Sequence, residues 1–252
     1  MEGRYIYCII ADARNQTFDI DIMGMEEAKI YTVCFNGVMA VVSNSALKKY
    51  SVSRQNLLCH EKAIEEVMKK YTVAPVRFGT IAETEEKVKK ILEKEHEKFR
   101  DLLESLAGKK ELGLKAIFSA ASGGGEEIYG EILREYPDIK ALKEKIQKLP
   151  AAKTYYQRME IGKMVENALE KRKDFYKEDI LKSLTPLALK NKINKTYGER
   201  MILNAAFLVE EVNEKEFDLQ VEKLDEKYGD KIKFKYVGCV PPFNFVDLVI
   251  DV

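Results

Sequence analysis

The sequence predicts an α+β protein with two domains. Strand-like runs of β-branched and aromatic residues alternate with segments whose apolar residues recur at helical spacing. No repeat with a period of roughly 20–50 residues is present, which argues against a solenoid. From Leu112 onward the predicted order is strand, helices, strand, strand, helix, strand, which is the βαββαβ order of a ferredoxin-like domain. The change of order predicts an N-terminal domain over 1–110 and a C-terminal domain over 111–252.

The N-terminal domain is predicted to be an irregular α+β domain with a strand and a hairpin near its start. Tyr5–Ile10 is rich in β-branched and aromatic residues, which is typical of a buried strand. A polar segment over 11–28 predicts a loop with one short element. Two further apolar runs, 30–35 and 38–42, flank Asn36-Gly37. Because both turn residues accept positive φ, the pair predicts a hairpin with a type I′ turn.

Two helices and a strand complete the predicted N-terminal domain. Ser53 and Thr84 can cap helices that run to about residues 70 and 106. Residues 71–78 predict a strand between them. His96 falls among charged residues of the second helix, so it is expected to face solvent.

The C-terminal domain is predicted to carry additional helices within its ferredoxin-like order. Alternating apolar residues from Leu112 to Ala120 predict a half-buried strand, and a glycine-rich loop follows at 122–125. The inserted helices are expected within 126–149, ahead of a long helix over 151–182. The remaining elements are predicted as strands at 184–190 and 201–209, a helix from Asn213 to Tyr228 and a strand that begins at Ile232.

An apolar tail is predicted over residues 238–252. Pro241 and Pro242 cannot continue a central strand, and Phe243 and Phe245 open an apolar run. An apolar tail left free would aggregate, so it is expected to pack on something. It either clamps the two domains together or contacts an apolar partner.

Composition and charge exclude several classes of function. The 252 residues contain 42 basic and 42 acidic side chains, so the net charge of zero argues against a nucleic-acid or anionic-lipid binder. No stretch has the about 18–20 apolar residues of a membrane span, and the short apolar run after Met1–Arg4 is too short for a signal peptide. The four cysteines form no C-x-x-C pair and are expected to be reduced, buried thiols of a cytosolic protein: Cys8, Cys34, Cys59 and Cys239.

No motif in the sequence predicts catalysis, a metal or a cofactor. G-x-S-x-G, H-E-x-x-H and paired-Asp patterns are missing, and the triple glycine at 123–125 has no following Lys-Ser/Thr. His60 lies on the apolar face of its predicted helix and is expected to be a satisfied core histidine. If Arg77 points inward it must organise carboxylates or carbonyls, because an unpaired buried arginine is costly. Its alternative role is contact with a ligand or partner.

Several segments together resemble the gas vesicle protein GvpF/GvpL family over nearly the whole chain. The two most specific are Pro75–Thr80 (PVRFGT) and Pro241–Val246 (PPFNFV). The others, each weak alone, are Tyr5–Tyr7, Asn56-Leu57 with His60, Gly113–Lys115, Tyr155-Tyr156 and Asn204–Val209.

The resemblance implies an accessory or minor structural protein of gas vesicle formation that is not an enzyme and needs no cofactor. Its implied partners are the apolar shell protein GvpA and other accessory Gvp proteins, its implied location is the gas vesicle or the cytoplasm, and its implied fold is two α+β domains, the second ferredoxin-like. The candidate structural or partner contacts are His60, Arg77, Phe78, Asn204, Pro241, Pro242, Phe243 and Phe245. The alternative is a ferredoxin-like enzyme or small-molecule sensor in which His60 and Arg77 join a carboxylate such as Glu61 or Glu65.

Overall fold

The chain forms two compact units in a computed structural model that describes residues 2–12, 19–119, 125–150 and 153–250. The N-terminal unit comprises Met1–Leu112, Leu208–Val212 and Gly238–Val252, and the C-terminal unit comprises Gly113–Phe207 and Asn213–Val237. This division differs from a single boundary near residue 110. The tail groups with the N-terminal unit because Val246 and Leu248 are buried in the core of that unit.

The N-terminal unit is built on a six-stranded sheet. Its strands are β1 (Glu2–Ala11), β2 (Asp19–Met23), β3 (Lys29–Phe35), β4 (Val38–Ala46), β5 (Ala74–Pro75) and β6 (Ile81–Ala82). They are ordered β2-β3-β4-β1-β5, and β6 also pairs with β1. The segment between β1 and β3 therefore holds a strand and a short 3-10 turn, Met25–Glu27, where one short element was expected.

Local sequence accounts for two features of this sheet. β3 and β4 pair antiparallel with Phe35 opposite Val38, and Asn36 and Gly37 between them have φ of 46° and 81°. Both values lie in the positive range that a two-residue hairpin turn requires. In β1 the register shifts between Ile6 and Cys8, which is a bulge.

Helices cover both faces of the sheet. They are α1 (Arg54–Met68), α2 (Glu85–Lys94) and α3 (His96–Leu106). Residues of α1 pack with one apolar cluster that includes Tyr5, Tyr7 and Met25. Residues of α2 and α3 pack with a second cluster that includes Ile6 and Ile9 of β1. The caps form as the sequence predicts, since the hydroxyls of Ser53 and Thr84 accept hydrogen bonds from backbone N–H groups three residues later.

Three expectations for the N-terminal unit are wrong. The helix from Thr84 to Leu106 is interrupted at Glu95, whose φ and ψ of −104° and 15° are not helical. His96 then turns inward, where its Nε2 lies 3.1 Å from the Asn36 carbonyl and its ring contacts Phe35. The strand expected over 71–78 is reduced to β5, because Pro75 has no N–H with which to extend the pairing.

The described part of the C-terminal unit is built on a four-stranded sheet with four helices, and residues 109–112, 208–210 and 238–240 of its strands are grouped with the N-terminal unit. The strands are β7 (Lys109–Phe118), β8 (Lys190–Ile193), β9 (Met201–Glu210) and β10 (Ile232–Val240), in the order β10-β7-β9-β8. The helices are α4 (Gly125–Glu135), α5 (Pro137–Gln147), α6 (Tyr155–Leu184) and α7 (Glu214–Tyr228). Short 3-10 turns lie at Thr185–Leu187 and at Glu211–Asn213, and the first two residues of the second turn are grouped with the N-terminal unit.

Two predictions for the C-terminal unit, a strand and a helix cap, differ from the structure. The strand expected at 184–190 is a 3-10 turn with Pro186 in its first positions, and the strand begins only at Lys190. Asn213 precedes α7 but its side chain makes no capping hydrogen bond.

The inserted helices have a small core of their own. Ile132, Ile139, Val165 and Ala168 are buried together where α4 and α5 pack on α6. Arg172 of α6 donates to Glu131 and Glu135 of α4 at 2.7 and 2.5 Å. The glycine-rich loop expected at 122–125 lies outside the described residues except for Gly125.

No helix in the described part of the chain is long and apolar enough to cross a membrane. All four cysteines are thiols outside any disulfide. Cys8 is buried and Cys34 and Cys59 are half-buried, but Cys239 is exposed, so the expectation of four buried thiols is wrong for Cys239.

Candidate functional site

His60 occupies the centre of the candidate site, within the N-terminal unit. It lies on the buried face of α1 together with Ala63, Ile64 and Val67, because these positions recur at helical spacing. Only 4% of its surface is exposed. Its ring stacks on Tyr7 and meets the rings of Tyr5 and Phe78 edge-on, with centroids 5.7–5.8 Å away.

Both ring nitrogens of His60 are hydrogen-bonded. Nε2 lies 3.2 Å from the Val76 carbonyl oxygen, and Nδ1 lies 3.0 Å from the Tyr5 hydroxyl. A carbonyl oxygen can only accept, so Nε2 carries the proton and Nδ1 accepts from Tyr5. The Tyr5 oxygen in turn accepts from the Gly79 N–H at 3.0 Å. The expectation of a satisfied core histidine agrees with this geometry.

Burial keeps the groups of this cluster uncharged. It lowers the pKa of His60 to about 4, although the hydrogen bond to Val76 opposes the shift. It also raises the pKa of Tyr5 well above its usual range and the pKa of Tyr7 to about 12. The thiol of Cys59 has a raised pKa for the same reason. At neutral pH the cluster is therefore a neutral, hydrogen-bonded part of the core.

A second element of the site is Pro75–Thr80. Val76 donates its N–H to the Tyr7 carbonyl at 2.9 Å, and the Thr80 carbonyl accepts from Ile6 at the same distance. Gly79 has φ of 83°, a conformation that favours glycine. These backbone hydrogen bonds attach the PVRFGT segment to β1. Phe78, within the segment, is thereby held against the rings around His60.

Arg77 points outward from this segment. Its guanidinium donates to the Asp247 carboxylate at 2.8 Å, and the two side chains are 63% and 81% exposed. The inward orientation considered from the sequence is therefore not observed. Because the pair is solvent-exposed, it fixes position more than it adds stability.

The tail supplies the third element. Pro241 and Pro242 are buried, and the Phe245 and Val246 N–H groups donate to the Pro242 carbonyl. This turn brings the Phe243 ring to 6.5 Å from the His60 ring. Phe245 is half-buried, while Val246 and Leu248 enter the core.

The three elements enclose a cleft of about 410 Å³. Its apolar walls come from Leu57, Pro75, Val76, Phe78, Phe243, Val246 and Leu248, and its polar lining from His60, Glu61, Arg77 and Asp247. This volume is within the range of ligand pockets, and the lining is mostly apolar with a few polar groups at the sides.

The structure brings together seven of the eight sequence-predicted residues. His60, Arg77, Phe78 and Phe243 line the cleft, and Pro241, Pro242 and Phe245 belong to the same tail segment. Asn204 lies in β9 of the C-terminal unit, where its side chain donates to the Lys195 carbonyl at 3.0 Å.

Sequence reasoning missed Glu111 as a member of this site. Its carboxylate accepts from the backbone N–H and the side-chain amide of Asn244, at 2.9 and 2.6 Å. The available signal was an acidic residue directly before the apolar alternation at Leu112. Glu65, named as a possible partner of His60, does not line the cleft, whereas Glu61 does.

No cluster of three or more His, Cys, Asp or Glu side chains suited to a metal occurs in the ranges that the structure describes. The fold and the cleft define the class: a two-unit α+β protein whose candidate site is an apolar cleft beside a neutral, fully bonded histidine.

Comparison with known proteins gives a family. The family described as gas vesicle synthesis protein GvpL/GvpF matches residues 3–247. Gas vesicle protein F of Nostoc sp. is 28% identical over 249 residues, covering 98% of each chain. Gas vesicle protein F of Dolichospermum flosaquae is also 28% identical, covering 97% of each. The crystal structure of GvpF from Anabaena sp. PCC7120 superposes with a TM-score of 0.80 at 26% identity, covering 99% of this chain and 100% of that one.

The chain therefore belongs to the GvpL/GvpF family of gas vesicle synthesis proteins. The resemblance carried by the PVRFGT and PPFNFV segments is confirmed, as is the mixed α+β class of the fold.

Proposed function

We propose that this protein is an accessory or minor structural protein of gas vesicle formation that binds the apolar shell protein GvpA and other Gvp proteins. In doing so it limits aggregation of the shell protein and aids its assembly. The observation that carries the proposal is the family match over residues 3–247, together with relatives of the same length named gas vesicle protein F.

The physical need is to shield apolar surface reversibly. A shell subunit must present an apolar face to gas, and the same face drives aggregation before assembly. The cleft of the N-terminal unit offers matching chemistry, because Leu57 and Phe243 line it and are 39% and 37% exposed. We assign the contact with the partner to this surface, which Phe78, Arg77 and Asp247 also line.

The architecture of the C-terminal unit supports a ferredoxin-like assignment. Its elements follow the order β7, helices, β8, β9, α7, β10, and its strands lie in the order β10-β7-β9-β8. Numbered within the unit, that is fourth, first, third and second. The sequence division into an N-terminal α+β domain over 1–110 and a ferredoxin-like domain over 111–252, with inserted helices at 126–149 and a tail at 238–252, stays a proposal.

The proposed place of action is the cytoplasm and the gas vesicle that grows there. The proposed partners are proteins, with no nucleic acid, membrane lipid or cofactor, because family membership concerns vesicle synthesis and the net charge is zero.

The decisive experiment is a co-expression pull-down with tagged shell protein. We expect the full chain to be enriched with the shell protein and to increase its non-aggregated fraction. Leu57→Lys should reduce both effects, because it places a charge in the apolar cleft. The matched control is Leu219→Lys, which changes a 55% exposed leucine of α7. Absence of enrichment for the wild-type chain would refute the proposed function, and equal behaviour of the two variants would refute the assignment of the surface.

A second candidate is a small-molecule or enzymatic role that uses His60 and Arg77. The size of the cleft favours it, since about 410 Å³ would hold a small ligand. Two contacts count against it: both nitrogens of His60 are occupied by Tyr5 and Val76, and Arg77 is paired with Asp247. A metabolite that raises the melting temperature of the wild-type chain but not of Arg77→Ala would favour this role.

A further inference from the structure

The segment Pro241–Leu248, here called the strap, is attached to the N-terminal unit as a separate piece of chain. It follows β10, which ends at Val240, and Cys239 just before it has φ of 52°. Its path is set by the two buried prolines and by a turn in which the Pro242 carbonyl accepts hydrogen bonds from the Phe245 and Val246 N–H groups. Within the described residues, the strap pairs with the chain beside the six-stranded sheet through a parallel bridge between Val76 and Leu248.

The strap occupies the place of a further strand beside β5. That strand lies at one end of the sheet order β2-β3-β4-β1-β5, and Val76 directly follows it. An uncovered strand edge presents unpaired backbone groups to other chains, so natural sheets protect such edges. The strap gives this protection at Val76, and Val246 and Leu248 fill the apolar space next to it.

A buried carboxylate holds the strap in register. Glu111 is 2% exposed, and its two oxygens accept the backbone N–H and the side-chain amide of Asn244. Two hydrogen bonds to the same buried residue fix both the backbone and the side chain of Asn244. The outer contact, between Arg77 and Asp247, is solvent-exposed and weak by comparison.

Undocking the strap would leave every pairing within the two sheets in place. Its described attachments include the hydrogen bonds of Asn244 to Glu111, the Arg77–Asp247 pair, the bridge at Val76 and the ring contact of Phe243 with His60. They also include the buried residues Pro241, Pro242, Val246 and Leu248. Elements with few ladder hydrogen bonds open at lower free energy than the sheet that carries them.

We propose that the strap is a releasable internal ligand, and that the surface it covers beside Val76 and Glu111, here called the groove, accepts in its place an extended segment of similar chemistry from a partner protein. The strap itself specifies that chemistry: a side-chain amide for Glu111, followed two and four residues later by apolar side chains, as in Asn244, Val246 and Leu248. This identification of the partner rests on the proposed function, in which an apolar shell protein is bound. Binding in trans replaces the strap and adds a strand at Val76.

The test measures binding of a labelled peptide with the strap sequence, PPFNFVDL, to the full-length chain. Because the bound strap reduces the fraction of chain that can accept the peptide, apparent affinity rises when the strap is loosened. Asn244→Ala should therefore bind the peptide about tenfold more tightly than the wild type. Asp247→Asn, a milder change, should shift the affinity in the same direction. The matched control Asn204→Ala should leave it unchanged.

The groove is tested separately from the strap. Adding Glu111→Gln to Asn244→Ala should abolish the gain, because it replaces one of the two acceptor oxygens that Asn244 uses with an NH2 donor. Retained binding in the double variant, or no gain in Asn244→Ala, would overturn the proposal. If these variants fail to fold, amide exchange of the wild type decides: the strap amides must exchange faster than those of β1 and β4, and exchange only on global unfolding refutes release.

Two further outcomes are informative. Concentration-dependent dimers in Asn244→Ala would show exchange of straps between copies and would overturn the assignment to a different partner. The peptide assay contains no shell protein, so a negative pull-down with a positive peptide result refutes the proposed function while leaving the strap groove established.

Discussion

The Tyr5 hydroxyl lies 3.0 Å from Nδ1 of His60 and donates to it, because the Val76 carbonyl on the other side of the ring requires the proton on Nε2. The strand β1 and the helix α1 are thereby joined at a point where the PVRFGT segment also arrives, through Val76 and Gly79. The cleft has a rigid wall because these hydrogen bonds are satisfied in the core.

Tyr5→Phe should destabilise the fold by about 1–3 kcal/mol, because Nδ1 of His60 and the Gly79 N–H lose their shared partner. Urea unfolding followed by circular dichroism gives the free energy of unfolding. Tyr197→Phe, at a 68% exposed tyrosine, is the control and should change it by less than about 0.5 kcal/mol. Equal effects of the two variants would contradict the prediction.

The pH dependence of stability should carry the signature of His60. The pKa of His60 is about 4 in the folded chain, whereas its ordinary value, expected in the unfolded chain, is 6.5. As pH falls, the unfolded chain therefore binds the proton at a higher pH than the folded chain does. The contribution of neutral His60 to the free energy of unfolding is fully present above pH 6.5. It declines as pH falls, and about 3 kcal/mol of it is lost near pH 4.

Between pH 7 and 5 the expected loss from this residue is about 2 kcal/mol. His60→Gln removes the titrating group and should flatten the pH profile in that interval, whatever its effect on absolute stability. A profile of the same slope in wild type and variant would assign the dependence to other groups.

Gly24 and Gly162 should respond in opposite directions to alanine. A Cβ on Gly24 would lie 2.0 Å from the Tyr7 hydroxyl, so Gly24→Ala should cost about 1–3 kcal/mol through overpacking. A Cβ on Gly162, inside α6, meets nothing within 4 Å. Gly162→Ala should therefore stabilise the chain by about 0.5–1 kcal/mol, which a thermal melt would record as a higher midpoint.

Arg172→Lys should loosen α4. The guanidinium contacts Glu131 and Glu135 together, and an ammonium group cannot reproduce this forked geometry. We expect a loss of about 1 kcal/mol, small because Glu135 is half exposed, and faster amide exchange in α4. Arg134→Lys, at an exposed position of the same helix, is the control and should leave the exchange of α4 unaltered.

Leu248→Ala should cost about 2–5 kcal/mol because it opens a cavity in the core of the N-terminal unit. Val249→Ala, next along the chain and 51% exposed, should cost little. Equal stabilities of these two variants would show that the tail does not contribute to the core.

Local signals in the sequence predicted those parts of the fold that local chemistry controls. Ser53 and Thr84 begin helices because their hydroxyls satisfy N–H groups that the helix leaves free. His60 was expected in the core because it shares a helical face with apolar residues. The family was identified from the PVRFGT and PPFNFV segments, and the family match bears this out.

Features that depend on distant contacts could not be predicted. The break at Glu95 allows His96 to reach the carbonyl of Asn36, and no helical pattern encodes that contact. Arg77 is paired with Asp247, 170 residues further along the chain. Glu111 accepts hydrogen bonds from Asn244, 133 residues further along the chain, and no local pattern around Glu111 encodes that contact.

The discontinuous make-up of the N-terminal unit has a consequence during translation. Val246 and Leu248 belong to its core, yet they leave the ribosome only after residues 113–237 have been synthesised. The usual vectorial order, in which the first domain is finished before the next emerges, cannot apply in full to this chain. A nascent polypeptide must wait with part of its first hydrophobic core incomplete, so the cell has a window in which a chaperone or an assembly partner can engage it.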